Sequence, residues 1–275
     1  MPQPVRRSKH TMTLINIQEH LGRPATAVLV TLPVAVPVIY AIYINAWISS
    51  NTTSITGRRD KRRPTQGTST ASIRDPVSLP EEVRVDDGYL WTVNYERVVS
   101  NPISIDSMGI PVEQGYTLQA SPLLREYLRA THSAFSWTPQ AFLIRAMIKE
   151  PEVKRTFGTT WIRSLNFALG DYVNGVYKVS HHQKDGSSER VELIIEAPAS
   201  YKGPAVRGLL AAAIEPANEK SKGGGDQVVL VNETWMWRRV SEPLTLLETP
   251  FGKWFHEKLA GWLIMKGVNH VVSFK

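Results

Sequence analysis

From Ala25 to Ile48 the chain carries no charge, and only Thr26, Thr31 and Asn45 interrupt an otherwise apolar run. A helix needs about 20 such residues to cross a bilayer, so this run predicts one transmembrane helix. Pro33 and Pro37 each remove a helical hydrogen bond. The expectation is therefore a kinked span, with a hairpin returning to the same leaflet as the alternative. Tyr40, Tyr43 and Trp47 gather towards its C-terminal end, as an interfacial aromatic belt does. Residues 49–87 change character: Ser, Thr, Arg, Pro and Gly dominate, which predicts a flexible basic linker. The organisation expected is a tail over 1–24, a transmembrane helix over 25–48, a linker over 49–87 and one folded domain over 88–275.

Within that domain the periodicity changes twice. Gly88 to Val99 is rich in aromatic and β-branched residues and predicts a strand. Ser121-Pro122 and Thr138-Pro139 each read as a cap followed by proline at the first helical position. In the first of these helices Leu124, Leu128, Thr131 and Phe135 share a face, and Arg125, Arg129 and His132 are expected on a solvated stripe. Pro151 opens a third short helix through Phe157. Asp171 to Val179 is a further strand candidate. Arg190 to Glu196 then alternates, with Val191, Leu193 and Ile195 on one face, and Asp185-Gly186-Ser187-Ser188 forms the turn before it. Leu209 to Ile214 and Gln227 to Arg238 predict a second hairpin. Thr249-Pro250 opens a terminal helix expected to run to about Lys266, bury Phe251, Phe255, Leu259, Trp262 and Leu263, and end at Gly267.

Strand, helices, antiparallel strands and a long terminal helix, segregated in that order, imply an α+β domain. The order resembles the helix-grip superfamily of START and polyketide-cyclase-like proteins, across roughly Gly88 to Val272. The resemblance implies an antiparallel sheet curled around the C-terminal helix with an apolar ligand pocket between them. It implies no particular reaction, because that superfamily holds both lipid carriers and cofactor-free cyclases. A hot-dog fold or an NTF2-like cone fits the same order.

Charge sets the expected orientation. Arg58, Arg59, Lys61, Arg62 and Arg63 follow the apolar run closely and only Arg23 lies equally near on the other side. Positive residues remain cytoplasmic, so the C-terminal domain of this single-pass protein is expected in the cytosol, at the endoplasmic reticulum. Glu19 is the sole acidic residue before Asp60, which makes the mitochondrial inner membrane the alternative. The sequons at Asn51 and Asn232 matter only if the domain is lumenal. The net charge of +7 draws heavily on the juxtamembrane cluster, so the basic residues are assigned to membrane insertion and anionic lipid. No nucleic-acid partner is expected. The chain has no cysteine, which excludes disulfides, thiolate catalysis and cysteine-ligated metal.

The candidate chemistry centres on the Val228–Trp237 stretch. As a strand it places Val229, Val231, Glu233, Trp235 and Trp237 on one face and Asn232, Thr234 and Met236 on the other. A carboxylate among indoles and valines is pushed towards its neutral form, and a neutral buried acid can protonate an alkene or carbonyl. The competing expectation is a Glu233 paired with an arginine such as Arg163 or Arg238. His256, on the terminal helix, can reach a ligand or serve in packing. Glu233 and His256 are thus the candidate catalytic residues, and Trp161, Asn232, Trp235 and Trp237 the candidate substrate-binding ones. His181 and His182 are adjacent in a strand and point apart, so no metal site is expected. Gly223-Gly224-Gly225 lacks a following Lys-Ser/Thr and reads as a hairpin turn, not a phosphate loop. With no dinucleotide fingerprint, nucleophile elbow or zinc motif, no cofactor is expected.

Seven of the tryptophans fall in the folded domain. They suit a lipophilic ligand, whose developing positive charge indoles stabilise, or else core packing and contact with a bilayer surface. Two functions follow. One is a membrane-anchored, cofactor-independent cyclase or isomerase acting on a polyketide or terpenoid in secondary-metabolite biosynthesis, with a layout similar to small anchored tailoring proteins of fungal natural-product pathways. The other is a non-catalytic lipid-binding or membrane-assembly protein.

Overall fold

The computed structural model describes residues 42–59, 73–86, 90–110, 119–203, 205–217 and 226–274. The chain divides into two units, residues 1–47 and 48–275. Of the first, residues 42–47 are described, and they are helical. The rest of the 25–48 apolar run, and with it the expected span, lies outside the described residues. Among the described residues no helix is long and apolar enough to cross a membrane.

The second unit is α+β. Its strands are β1 (Thr52–Arg58), β2 (Trp91–Ser100), β3 (Ile103–Ser104), β4 (Tyr172–Val173), β5 (Tyr177–Asp185), β6 (Ser188–Ile195), β7 (Gly208–Pro216) and β8 (Gln227–Arg239). All pair antiparallel in one eight-stranded sheet of order β1-β2-β8-β7-β6-β5-β4, with β3 beside β8. The helices are α1 (Glu81–Val85), α2 (Pro122–Phe135), α3 (Pro139–Met147), α4 (Pro151–Arg155), α5 (Thr159–Ser164) and α6 (Pro250–Ser273). The turn between β5 and β6 falls where Asp185-Gly186 predicts it, with Gly186 at φ 57°. The strand expected over Asp171–Val179 is split. Asn174 and Gly175 take positive φ, reverse the chain and make β4 and β5 a second hairpin.

Both caps before proline hold: the Ser121 hydroxyl accepts from the Leu124 N–H, and that of Thr138 accepts from Ala141. On α2 the predicted face, Leu124, Leu128, Thr131 and Phe135, is buried. His132 is buried as well, 6% exposed, where a solvated stripe was expected; α2 is covered on a wider arc than the periodicity alone implies.

The terminal helix departs further from expectation. It runs on to Ser273 and buries Ala260, Gly261, Ile264, Met265, Gly267 and Val271, whereas Phe251 is 72% exposed. Gly267 is therefore internal. A Cβ there would stand 2.3 Å from the Tyr127 ring, so its lack of a side chain lets α6 lie close against α2. Tyr127 is fully buried and cannot give way.

The two faces of the sheet carry different layers. On the inner face α2 and α6 cover Val191 and Leu193 of β6, Ala212 of β7 and Leu230 of β8, together with Val98 of β2. On the outer face Leu79 and Val83 pack over Trp91, Val93, Leu209, Trp235 and Trp237. Here the structure corrects the expected linker over 49–87. Thr52–Arg58 pairs with β2 along its whole length, and residues 73–86 form the cover of the outer face. The carboxylate of Glu192 accepts from the backbone N–H of Val77 (3.1 Å) and Ser78 (2.8 Å), and Arg59 pairs with Asp75 at 2.8 Å. Composition pointed to a flexible chain because few large apolar residues occur there. Leu79 and Val83, with the partly buried Ile73, suffice when backbone N–H groups are already held by a buried carboxylate. Residues 60–72 lie outside the described ones.

Candidate active site

The sheet's inner face, α2, α3 and α6 enclose two adjoining compartments of about 70 and 270 Å³. Gln140, Tyr177, Leu210, Thr234 and His256 border both. The larger is walled mostly by apolar groups, among them Leu143, Ile144 and Met147 of α3 and Ile195 of β6. Asn232 and His132 border the smaller one.

His256 is placed by the start of α6. Thr249 caps the helix through the Gly252 N–H at 3.1 Å, and Pro250 fixes its first turn, so His256 falls in the second turn beside the sheet. Its Nδ1 lies 2.7 Å from Oε1 of Glu96. Glu96 comes from β2, on the inner face with Asn94 and Val98, and is 1% exposed. An ionised carboxylate only accepts hydrogen bonds. Nδ1 therefore donates to Glu96, and in the neutral ring the lone pair falls on Nε2. Nε2 has no hydrogen-bond partner among the described residues. The second oxygen of Glu96 and Oε1 of Gln140 are likewise buried without a hydrogen-bond partner among them. A histidine oriented by a buried carboxylate, at the wall of an apolar cavity, is the arrangement of a general base.

A second histidine borders the same space in a different state. His132 Nδ1 lies 2.7 Å from Oδ1 of Asn174, whose amide donates to the His132 carbonyl (3.4 Å) and to the Ser136 hydroxyl (2.8 Å). Both amide hydrogens are spent, so His132 is the donor and its Nε2 the unprotonated nitrogen. Burial lowers its pKa from 6.5 to about 4, against a smaller opposing effect of the Asn174 bond. Tyr127 donates to Oδ1 of Asn232 at 2.9 Å. Burial pushes the phenols of Tyr127 and Tyr177 far up, so both keep their protons.

The lowered pKa of His132 has a consequence for stability. The unfolded chain takes up a proton near pH 6.5 and the folded one only near pH 4. Stability from this group is complete above pH 6.5 and is lost as pH falls through the window between those values. Urea titrations at pH 7 and pH 4 should differ by about 3 kcal/mol from this residue. His132→Asn should flatten that part of the curve; an unchanged slope in the variant would show that His132 is not held neutral.

Glu233 lies elsewhere. It borders the small compartment through its place in β8, but its carboxylate is on the outer face. There it pairs with Arg97 and with Arg190 (2.8 Å) and accepts from the Trp235 indole (3.0 Å). Arg97 also holds Glu215 at 2.6 Å, and Arg190 holds Glu192 at 3.0 Å. Burial pushes the Glu233 carboxyl up, but the charges and hydrogen bonds of Arg190, with the Trp235 bond and the Arg97 charge, outweigh it and hold it below the usual carboxylate range. It has no proton to give at neutral pH. The arginine pairing weighed against its acid role is what occurs, with Arg97 and Arg190 in place of Arg163 or Arg238.

Trp235 and Trp237 are also on the outer face, 1% and 4% exposed, within the cluster under Leu79 and Val83. Trp161 donates to the Tyr172 carbonyl at 2.8 Å and borders a separate groove. Of the six candidate residues, the cavity thus brings together His256 and Asn232. Glu96 was missed, although a single glutamate in the aromatic and β-branched run Trp91–Val99 was the signal for it. Gln140, in the first turn of α3, gave no signal of its own.

No protein-family model, curated protein or solved structure matches this chain.

Proposed function

We propose that the protein is a membrane-anchored, cofactor-independent proton-transfer enzyme of the cyclase or isomerase type, acting on a hydrophobic small molecule. The observation that carries this reading is the His256–Glu96 pair at the wall of an apolar cavity. His256 Nε2 would take a proton from a carbon or hydroxyl of the bound compound, and the imidazolium so formed would face the Glu96 carboxylate. Returning that proton at another position isomerises the compound without net gain or loss of atoms. Where the carbanion or alkoxide first attacks a carbonyl in the same chain, the outcome is a ring. Thr234 and Gln140 supply polar groups beside the reacting atoms, and the apolar walls suit a polyketide or terpenoid. A place in secondary-metabolite biosynthesis fits that substrate class.

The strand order adds support. β2 lies beside β8, the last strand, and α6 packs on the inner face, a plan that resembles the helix-grip proteins and their ligand pockets. In this reading the apolar run over 25–48 is the anchor, and the basic residues after it favour the cytosolic face, of the endoplasmic reticulum in the first instance. A second reading, a non-catalytic lipid-binding protein, draws on the mostly apolar wall of the larger compartment.

The test is the compound that co-purifies with full-length protein in mild detergent, identified by mass spectrometry and incubated in deuterium oxide with catalytic amounts of protein. Deuterium incorporation or a change of skeleton is expected. An ordinary membrane lipid, recovered unchanged and undeuterated, would replace the enzyme with the lipid-binding protein.

A further inference from the structure

The larger compartment reaches the surface between α3 and Ala197, Pro198, Tyr201 and Val206. Leu143, Met147 and Val206 border it and are 64%, 46% and 40% exposed. Further large apolar side chains stand exposed on the elements that wall the cavity. Trp137 and Phe142 form an edge-to-face pair on α3's N-terminal side, ring centroids 6.4 Å apart. Phe251 and Trp254 stand exposed in the first turns of α6, just before His256. Exposed tryptophans and phenylalanines are costly on a surface bathed only by water, and such patches mark interaction sites.

Charge discriminates among occupants. The stretches that supply this rim carry Arg145, Lys149, Lys202, Arg207 and Lys253, and the acids that flank them are already engaged: Glu150 accepts from the Ser200 hydroxyl at 2.6 Å, and Glu196, Glu248 and Glu257 pair with Lys178, Arg238 and Lys258. Arg207 is paired with Glu242 at 2.7 Å. Exposed aromatic and aliphatic side chains on segments that also carry lysine and arginine fit the interfacial region of an anionic bilayer, where the rings sit at headgroup level and the cations meet phosphate and carboxylate.

Connectivity agrees. Ile48, the last residue of the apolar run, is 3% exposed and packs against α6, where a Cβ on Gly261 would meet it at 2.5 Å. Lys258 donates to the Ser49 hydroxyl at 3.1 Å. β1 begins at Thr52, so residues 49–51 alone separate the run from the sheet. Residues 48 and 49 thus lie against α6 at Gly261 and Lys258, one to two turns beyond Trp254.

We infer that the rim formed by α3 and the start of α6 docks on an anionic lipid surface, so that the cavity opens into the bilayer and exchanges lipophilic compound with it directly. The inference rests on the reading of the cavity as a lipophilic site. It assigns Leu143, Met147 and Phe251 to contact with lipid, and Arg145, Lys149 and Lys253 to contact with headgroups.

The chain has no cysteine, so single cysteines can be placed and labelled cleanly. Full-length Leu143→Cys, Phe251→Cys and Ser187→Cys proteins, each carrying a polarity-sensitive fluorophore, are reconstituted in phosphatidylcholine vesicles with and without phosphatidylserine. Ser187 is exposed in the β5–β6 turn, at the far end of β6 from the cavity. Labels at 143 and 251 should shift to the blue and be quenched by brominated acyl chains, more strongly with phosphatidylserine present. The label at 187 should do neither. A blue shift at 143 and 251 without lipid quenching would mean that protein covers the rim, and would overturn the inference, as would no shift at all. Retention of the co-purified compound in detergent is scored separately. Its loss with lipid quenching intact would remove the cavity reading and leave the docking surface standing.

Discussion

Replacing His256 by Asn should lower turnover by about 10²–10⁴-fold, the usual worth of a positioned general base, with little change in substrate binding. Asparagine is chosen for a geometric reason. Its amide nitrogen falls near the position of Nδ1, so it can still donate to Glu96, whose side chain is 1% exposed. The variant therefore removes Nε2 without stranding the buried carboxylate, and the melting temperature should change little. Glu96→Gln complements it: the charge that would stabilise an imidazolium is lost while the shape is kept, so kcat should fall with KM nearly unchanged. This split distinguishes a residue that orients His256 from one that only packs. Single-turnover conversion of the co-purified compound and a thermal melt of each variant check the expectation. A folded His256→Asn protein that binds the compound and turns it over at the parental rate would leave the lipid-binding reading as the function.

Glu233→Gln should act in the opposite way, on stability and not on turnover. The carboxylate is 2% exposed and faces two arginines that are themselves largely buried. Desolvating charges is costly, and the pairs repay the cost only while both partners remain. Removing one partner leaves guanidinium charge uncompensated inside the outer layer, at a cost of roughly 3–5 kcal/mol. Arg97 and Arg190 keep Glu215 and Glu192 respectively, which places the loss towards the lower end. Chemical denaturation measures it, and Glu233→Gln combined with Arg97→Met should lose less than the two single changes together, because the partners share one interaction. Protein still folded should retain parental kcat. A stable Glu233→Gln protein with reduced turnover would return Glu233 to the chemistry.

The elements that sequence determined are those with local causes. Ser121-Pro122 and Thr138-Pro139 start helices because the hydroxyl and the ring act within one turn. The β6 alternation and the Asp185-Gly186 turn fix a hairpin because strand period and positive φ are properties of a few neighbouring residues. α2's core face followed from spacing. The segregated order of strands and helices yielded the α+β class for the same reason.

What only the tertiary structure decided depends on partners far away along the chain. Gly267 carries a helix-ending residue type, yet it lies inside α6, where Tyr127 of α2 occupies the space a side chain would need. Residues 73–86 read as linker, yet they are ordered by the carboxylate of Glu192 more than 100 positions on. The alternation of β8 correctly put Glu233 with Trp235 and Trp237. It could not tell which of the sheet's two faces holds the cavity, since both faces are buried and period-2 patterning is the same on each. The face was settled by where α2 and α6 pack, and with it the change from acid catalyst to ion-pair partner. The His256–Glu96 pair spans 160 positions. Each residue alone is a polar group in an apolar run, and only the fold brings a carboxylate of β2 to the imidazole of α6, where burial of both makes their contact matter.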